Sequence, residues 1–164
     1  MEKTIGRILK KRKKTLAVAE SCTGGGIGKA ITDHAGSSIF FMGGIIAYSD
    51  DIKIRHLGVR KSTIQKHGAV SKQTAVAMAK GARKKFGADY AVSATGIAGP
   101  GGGTKEKPVG LIYIAVSGPK GDACRRLDLA TGRNANRQRT VSEALSLLYE
   151  CLTKDALASP RKFK

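Results

Sequence analysis

Apolar and polar positions fall into short blocks along the chain, and each block carries the period of one element. Residues 2–13 place Ile5, Ile8 and Leu9 on one face of a basic helix. Leu16 to Ala19 form an unbroken apolar run, the signature of a short strand buried on both faces. Thr23 then offers an N-cap, and Gly24 to Asp33 a helix packed by Ile27, Ala30 and Ile31. Turn chemistry at Ala35–Ser38 gives way to a strand over roughly residues 40–48. Ser49 or Asp50 caps a short helix carrying Ile52, Lys53 and Ile54, closed by His56-Leu-Gly-Val59, and residues 61–67 make another helical turn. Ser71 caps a helix to about Phe86 with Ala75, Val76, Ala79 and Ala82 inward. Strands follow at Asp89–Ala94 and Val109–Ser117. Ala123–Leu129 alternates as an antiparallel neighbour across the Gly118-Pro-Lys-Gly-Asp122 turn. A final helix from about Asn134 to Leu152 has the stripe Val141, Ala144, Leu145, Leu147 and Leu148. The order α β α β α α β β β α predicts an α/β layered domain with a mixed sheet. Residues 1–154 read as one domain and 155–164 as a flexible basic tail.

Two of these strands end alike. The run Tyr90–Ala94 stops at Thr95, and glycines follow at positions 96, 99, 101, 102 and 103. The run from Thr15 ends in Glu20-Ser-Cys-Thr-Gly-Gly-Gly26. A strand that empties into a glycine-rich loop lets backbone N–H groups approach a ligand closely. Two such ends side by side would frame a pocket for a small anion.

Composition narrows the class. With 164 residues, 41% apolar and 26% charged, the chain suits one soluble globular domain. No apolar run approaches the roughly 20 residues of a membrane span, and the N-terminus lacks a signal peptide's apolar segment, so a cytoplasmic protein is expected. Cys22, Cys124 and Cys151 are widely spaced and form no CxxC; His34, His56 and His67 are scattered. Neither a disulfide framework nor a metal site is expected. The net charge of +18 draws phosphates and gives non-specific affinity for nucleic acid, but no aromatic residues interleave with the basic ones.

Nucleophilic catalysis needs a nucleophile, a base and an oxyanion site. No histidine adjoins a motif, but a lysine that burial keeps neutral can replace histidine as base. Lys53, between Ile52 and Ile54 and after Tyr48-Ser49, is a candidate, with Ser38 before the same strand; the plain alternative is a turn serine and a surface lysine. Cys22 at a helix start is a rival nucleophile or a small buried residue. Thr95 is catalytic or a turn former. The Thr104–Val109 lysines belong to a lid or an ordinary loop. Arg133, Arg137 and Arg139 at the start of the last helix suit a phosphate or an exposed face.

Taken together, these stretches resemble the CinA C-terminal domain family over roughly residues 5–152. The resemblance rests on Ala19-Glu-Ser-Cys-Thr-Gly-Gly25, Gly36-Ser-Ser-Ile-Phe-Phe-Met-Gly-Gly44, Tyr48-Ser49 with Lys53, and Leu57-Gly-Val59. It continues through Gly68-Ala-Val-Ser71, Ala94-Thr-Gly-Ile-Ala-Gly-Pro-Gly-Gly102, Lys107-Pro-Val-Gly110 and Thr140-Val141. It implies a three-layer α/β/α sandwich and an amidohydrolase that converts nicotinamide mononucleotide to nicotinate mononucleotide and ammonia, without a cofactor, in pyridine nucleotide salvage. The implied mechanism is a Ser–Lys dyad, with the family's nucleophile falling on Ser38 and its base on Lys53. Tyr48 and Thr95 match supporting positions. Ser21, Thr23, Gly24, Gly96, Gly99 and Gly101 match ligand-contacting positions, and Arg133 and Arg137 are the best matches to the family's arginines. The segment Thr131-Gly-Arg-Asn-Ala-Asn-Arg137 lacks the family's aspartate and is one residue shorter, and the family's Tyr-Ser-Asn reads Tyr48-Ser-Asp50. The resemblance also implies a homo-oligomer. The rival expectation is a non-catalytic module that binds a nucleotide or a partner in competence or DNA damage.

Overall fold

The computed structural model describes residues 1–157. Its elements run α1 (Glu2–Lys11), β1 (Leu16–Glu20), α2 (Gly26–Thr32), a 3-10 turn (Ser37–Ile39), β2 (Phe41–Ile46), α3 (Asp50–Leu57), α4 (Lys61–His67) and α5 (Lys72–Phe86). They continue through β3 (Tyr90–Gly96), β4 (Leu111–Gly118) and β5 (Gly121–Asp128) to α6 (Arg133–Leu157). The sequence pattern anticipates every strand. It ends the last helix too early, because residues 155–157 continue α6 rather than starting a tail; the remainder of the expected tail lies outside the described residues.

The five strands form one mixed sheet in the order β2-β1-β3-β4-β5. β1 pairs in parallel with both β2 and β3, while β4 and β5 are antiparallel to their neighbours. The chain therefore leaves β1 through α2 to one side, then returns through α3, α4 and α5 to the other. Such a reversal opens a crevice at the carboxyl ends of the strands, here β1 and β3.

The two faces of the sheet differ in side-chain size, and this sorts the helices. Leu16, Val18, Val92, Ile112, Ile114 and Val116 point to one face, where Ile5 and Leu9 of α1, Ile27 and Ile31 of α2 and Leu145 and Leu148 of α6 cover them. Ala17, Ala19, Ala91 and Ala115 point to the other, against Ala75, Met78, Ala79 and Ala82 of α5. Short side chains on both sides let α5 lie close enough for Ser93 Oγ to donate to the Ala75 carbonyl at 2.6 Å. Val76, expected inward, is only half-buried. The result is the three-layer α/β/α sandwich that the sequence implies.

Local chemistry fixes the element ends. Ser49 Oγ accepts the Ile52 amide, and Ser71 Oγ accepts that of Thr74. At the far end of the sheet Asp89 takes Lys14 Nζ at 2.7 Å and both the amide and the hydroxyl of Thr15. Burial opposes ionisation of Asp89, but these donors outweigh it and hold its carboxyl below the usual range. No helix among the described residues is long and apolar enough to cross a membrane.

α3 rests on α5 through Gly81, where a Cβ would stand 1.8 Å from the Leu57 carbonyl oxygen. Gly81→Ala must push the two helices apart. The expected cost is at least about 1–3 kcal/mol, the usual range for overpacking, read from urea unfolding of the variant beside the wild type. Unchanged stability would contradict the close crossing.

Candidate functional site

The crevice between β1 and β3 is a cleft of about 270 Å³. The end of β1 brings Ser21 and Cys22 to it, and the end of β3 brings Thr95, Gly96 and the loop through Gly102. Tyr48, Asp50 and Lys53 enter from the start of α3, and Arg133 from the start of α6.

Glu20 shapes the β1 end. It is 1% exposed, and its carboxylate accepts the amides of Gly25 at 3.0 Å, Ile27 at 3.0 Å and Gly28 at 2.8 Å. The first turn of α2 is therefore capped by the chain's own anion. This corrects two expectations. α2 starts at Gly26 after a left-handed Gly25, so Thr23 is not its N-cap. Its N-terminus is also closed to an incoming anion, so the only strand-end glycines lining the cleft belong to the β3 loop: Gly96, Gly99, Gly101 and Gly102.

The backbone on either side of Glu20 is tied to the neighbouring strand ends. Ala47 N donates to the Glu20 carbonyl at 2.7 Å, and Ser21 N to that of Ala94 at 2.9 Å. Ser21 is 7% exposed, and its hydroxyl makes no hydrogen bond among the described residues; it borders the cleft instead.

Lys53 is 2% exposed. Its Nζ lies 3.3 Å from the Tyr48 carbonyl and 3.3 Å from Asp50 Oδ1, a carboxylate half-exposed at the mouth. Thr95 is buried and donates to the Ala69 carbonyl at 2.9 Å. Arg133 spans the opening, with one guanidinium nitrogen on the Gly99 carbonyl at 2.8 Å and another on the Tyr48 hydroxyl at 3.2 Å.

Four predicted residues stand elsewhere. Ser38 is exposed on the 3-10 turn before β2, whereas Lys53 follows the opposite end of that strand. Six strand residues at about 3.3 Å each separate them by roughly 20 Å, so within one chain Ser38 does not meet Lys53. Thr23 and Arg137 line a second hollow between α2 and α6, where Arg137 Nη2 donates to the Thr23 carbonyl at 2.9 Å. Gly24 packs beneath that guanidinium, which a Cβ would approach to 3.1 Å.

Sequence reasoning overlooked Asn136, which is fully buried. Its Nδ2 donates to the Ala98 carbonyl at 3.1 Å, and its Oδ1 accepts from the Thr131 amide and hydroxyl. An asparagine in the first turn of a polar helix start gives no periodic signal. The Thr104–Val109 segment is anchored, with Lys107 Nζ on the His67 carbonyl at 2.7 Å.

Cys22 borders the cleft too, but burial pushes its thiol up to about 12, and thiolate is scarce at neutral pH. Native protein exposed to iodoacetamide near pH 8 is expected to leave Cys22 unmodified while unfolded protein labels at all three cysteines; peptide mass spectrometry reads the difference. Rapid native labelling of Cys22 would make it a competent nucleophile. Glu20→Gln is expected to cost about 1.5–3 kcal/mol in urea unfolding, the range for hydrogen bonds to a charged group. Wild-type stability in that variant would mean that the carboxylate does not hold α2.

Comparison with known proteins accords with this arrangement. The family model of the CinA C-terminal domain matches residues 1–152. A Halothermothrix orenii protein named for competence-damage induction is 54% identical over 149 residues, covering 90% of this chain and 36% of its own length. A CinA-like protein of Parasynechococcus marenigrum is 50% identical over 143 residues, covering 86% of this chain and 34% of its own. The chain thus spans about a third of the length of these curated relatives. The crystal structure of the competence/damage inducible protein CihA from Agrobacterium tumefaciens superposes with a TM-score of 0.90 at 41% identity, over 93% of each chain. With a family model matched over nearly its whole length and the same architecture in a solved relative, this chain belongs to the CinA C-terminal domain family.

Proposed function

We propose that this chain is an amidohydrolase that releases ammonia from nicotinamide mononucleotide, with Ser21 as nucleophile and Lys53 as its proton acceptor. The observation that carries the reading is one cleft lined by both a buried lysine amine and a serine hydroxyl without a protein partner. The cleft has no histidine among its lining residues. Of its other hydroxyls and thiol, Cys22 is held protonated, Thr95 is engaged by Ala69, and Tyr48 accepts from Arg133. Ser21 is what remains.

The chemistry follows from those positions. A lysine takes a proton only as the neutral amine. Lys53 in that form accepts the Ser21 proton as the oxygen attacks the amide carbon. The tetrahedral intermediate collapses as Lys53 returns the proton to the leaving nitrogen, and ammonia departs. Water, giving a proton to the same amine, then attacks the acyl carbon; the ester bond to Ser21 breaks, Lys53 returns that proton to the Ser21 oxygen, and a carboxylate is left. The substrate's two charges have matching surroundings. Arg133 and the Gly96–Gly102 loop suit the phosphate, while the Tyr48 ring and the Asp50 carboxylate suit the cationic nicotinamide. The net charge of +18 steers a phosphorylated substrate toward the molecule.

Ammonia release from nicotinamide mononucleotide tests the reading. Wild type is expected to be active, and Ser21→Ala and Lys53→Ala to lose at least about a thousandfold in kcat. Arg133→Ala is expected to raise KM about tenfold or more while kcat changes little, as for a contact made equally in the ground and transition states. Full activity in Ser21→Ala would move the nucleophile elsewhere. A folded but inactive wild type would favour a binding module of the competence or damage kind named among the relatives.

A further inference from the structure

One face of α1 is accounted for by packing. Ile5 and Leu9 are buried in the core, and Gly6 lies against Phe40, whose ring a Cβ at that position would approach to 3.2 Å. A second face is not. Lys3, Arg7 and Lys10 recur at i, i+4 and i+7 and form one ridge along the helix. Like charges at this spacing repel. Nothing nearby relieves them. Lys3 and Arg7 make no side-chain hydrogen bond or ion pair among the described residues, and Lys10 rests over Phe40 with Nζ 5.9 Å from the ring centre. The neighbouring carboxylates are turned to other cations, Glu2 to the Met1 amine at 3.3 Å and Asp33 to Lys29 at 2.7 Å.

This ridge borders a cavity of about 550 Å³ between α1 and the turn that follows α2. Ile5, Ile31, Phe40 and Leu145 give it an apolar floor, and His34 stands at its rim. The cavity is remote from the cleft, because Phe40 precedes β2 and Tyr48 follows it. We propose that it binds a small aromatic phosphate monoester, with the phosphate on Arg7 and Lys10 and the ring on the apolar floor. A phosphate dianion relieves the repulsion along the ridge, and a guanidinium takes it bidentately. An apolar floor with a few polar groups at one side, in a cavity of this size, is the usual form of a small-molecule site. Other anionic occupants fit less well. A membrane surface needs the apolar face of a basic helix, and that of α1 is already buried in the core. A nucleic acid strand needs an open cationic track with exposed aromatic platforms, whereas Phe40 is 5% exposed and Glu2 and Asp33 interrupt the track. Nicotinamide mononucleotide carries a cationic ring, which three ammonium and guanidinium groups repel. The inference therefore stands apart from the reaction proposed above and needs no assignment of a nucleophile.

Nuclear magnetic resonance titration of the whole chain with 1-naphthyl phosphate tests it, with 1-naphthol and inorganic phosphate as the two halves of the probe. The naphthyl phosphate is expected to move the signals of Ile5, Ile31 and His34, and to bind at least about tenfold more tightly than either half. The doubly substituted Arg7→Gln, Lys10→Gln chain is expected to bind it about tenfold or more weakly, while Lys84→Gln, Lys85→Gln on α5, with the same loss of charge, binds as the wild type does. The wild-type signals give a reading that does not depend on either variant folding. Shifts confined to Ser21, Cys22 and Gly96–Gly102 overturn the inference, since only the cleft then binds. So does naphthol or inorganic phosphate binding as tightly as the ester, or an equal loss in both pairs of variants, which would leave net charge as the whole attraction.

Discussion

A buried carboxylate can be tolerated only if the protein surrounds it with donors, and at Glu20 three consecutive-turn amides do so. Much of the reactive end of the sheet depends on that demand. To bring Gly25, Ile27 and Gly28 onto the carboxylate, the chain must turn back at once after β1. Gly24 and Gly25 supply left-handed backbone for the turn, and Ser21 and Cys22 are left at the lip of the crevice rather than in a further turn of strand. One acidic side chain thereby caps a helix, ends a strand and presents a hydroxyl. It also removes a rival, because a helix start occupied by its own anion no longer competes with the β3 loop for a phosphate.

The cleft is assembled from four separate parts of the chain, and each part is held by backbone carbonyls more than by other side chains. Lys53 rests on Tyr48, Thr95 on Ala69, Arg133 on Gly99 and Asn136 on Ala98. Carbonyls of strand ends and tight loops move little, so they hold long side chains such as lysine and arginine in place at modest entropic cost. The alanine-lined face of the sheet contributes to the same rigidity. It lets α5 approach closely, and α5 in turn seats α3 through Gly81, which sets where Lys53 begins.

Most of the fold was legible in the sequence because period and punctuation agreed. Ser49 and Ser71 preceded apolar-periodic runs and became caps; the apolar runs at 16–19 and 90–94 became adjacent parallel strands. The crevice between them could be anticipated from two glycine-rich strand ends. What misled was proximity along the chain. Ser38 and Lys53 flank one strand, and a strand separates what it joins. Thr23 and Gly24 belong to a promising loop, yet the Glu20 cap turns them toward α2 and Arg137. The capping role of Glu20 was itself hidden. An acidic residue at a strand end reads as solvent-facing unless the amides that will meet it can be foreseen, and those lie five to eight residues on.

Asn136 gives the segment before α6 an unusual freedom. The stretch between β5 and α6 is short, and Arg133 at its end reaches the cleft. Its position is set from inside the helix, where one amide side chain grips both Ala98 and Thr131. A loop pinned by a residue of the next element does not need a fixed length, because its slack ends at the pin. Insertions and deletions between β5 and Thr131 therefore need not displace the arginine, because Thr131 and the start of the helix are held by the same amide.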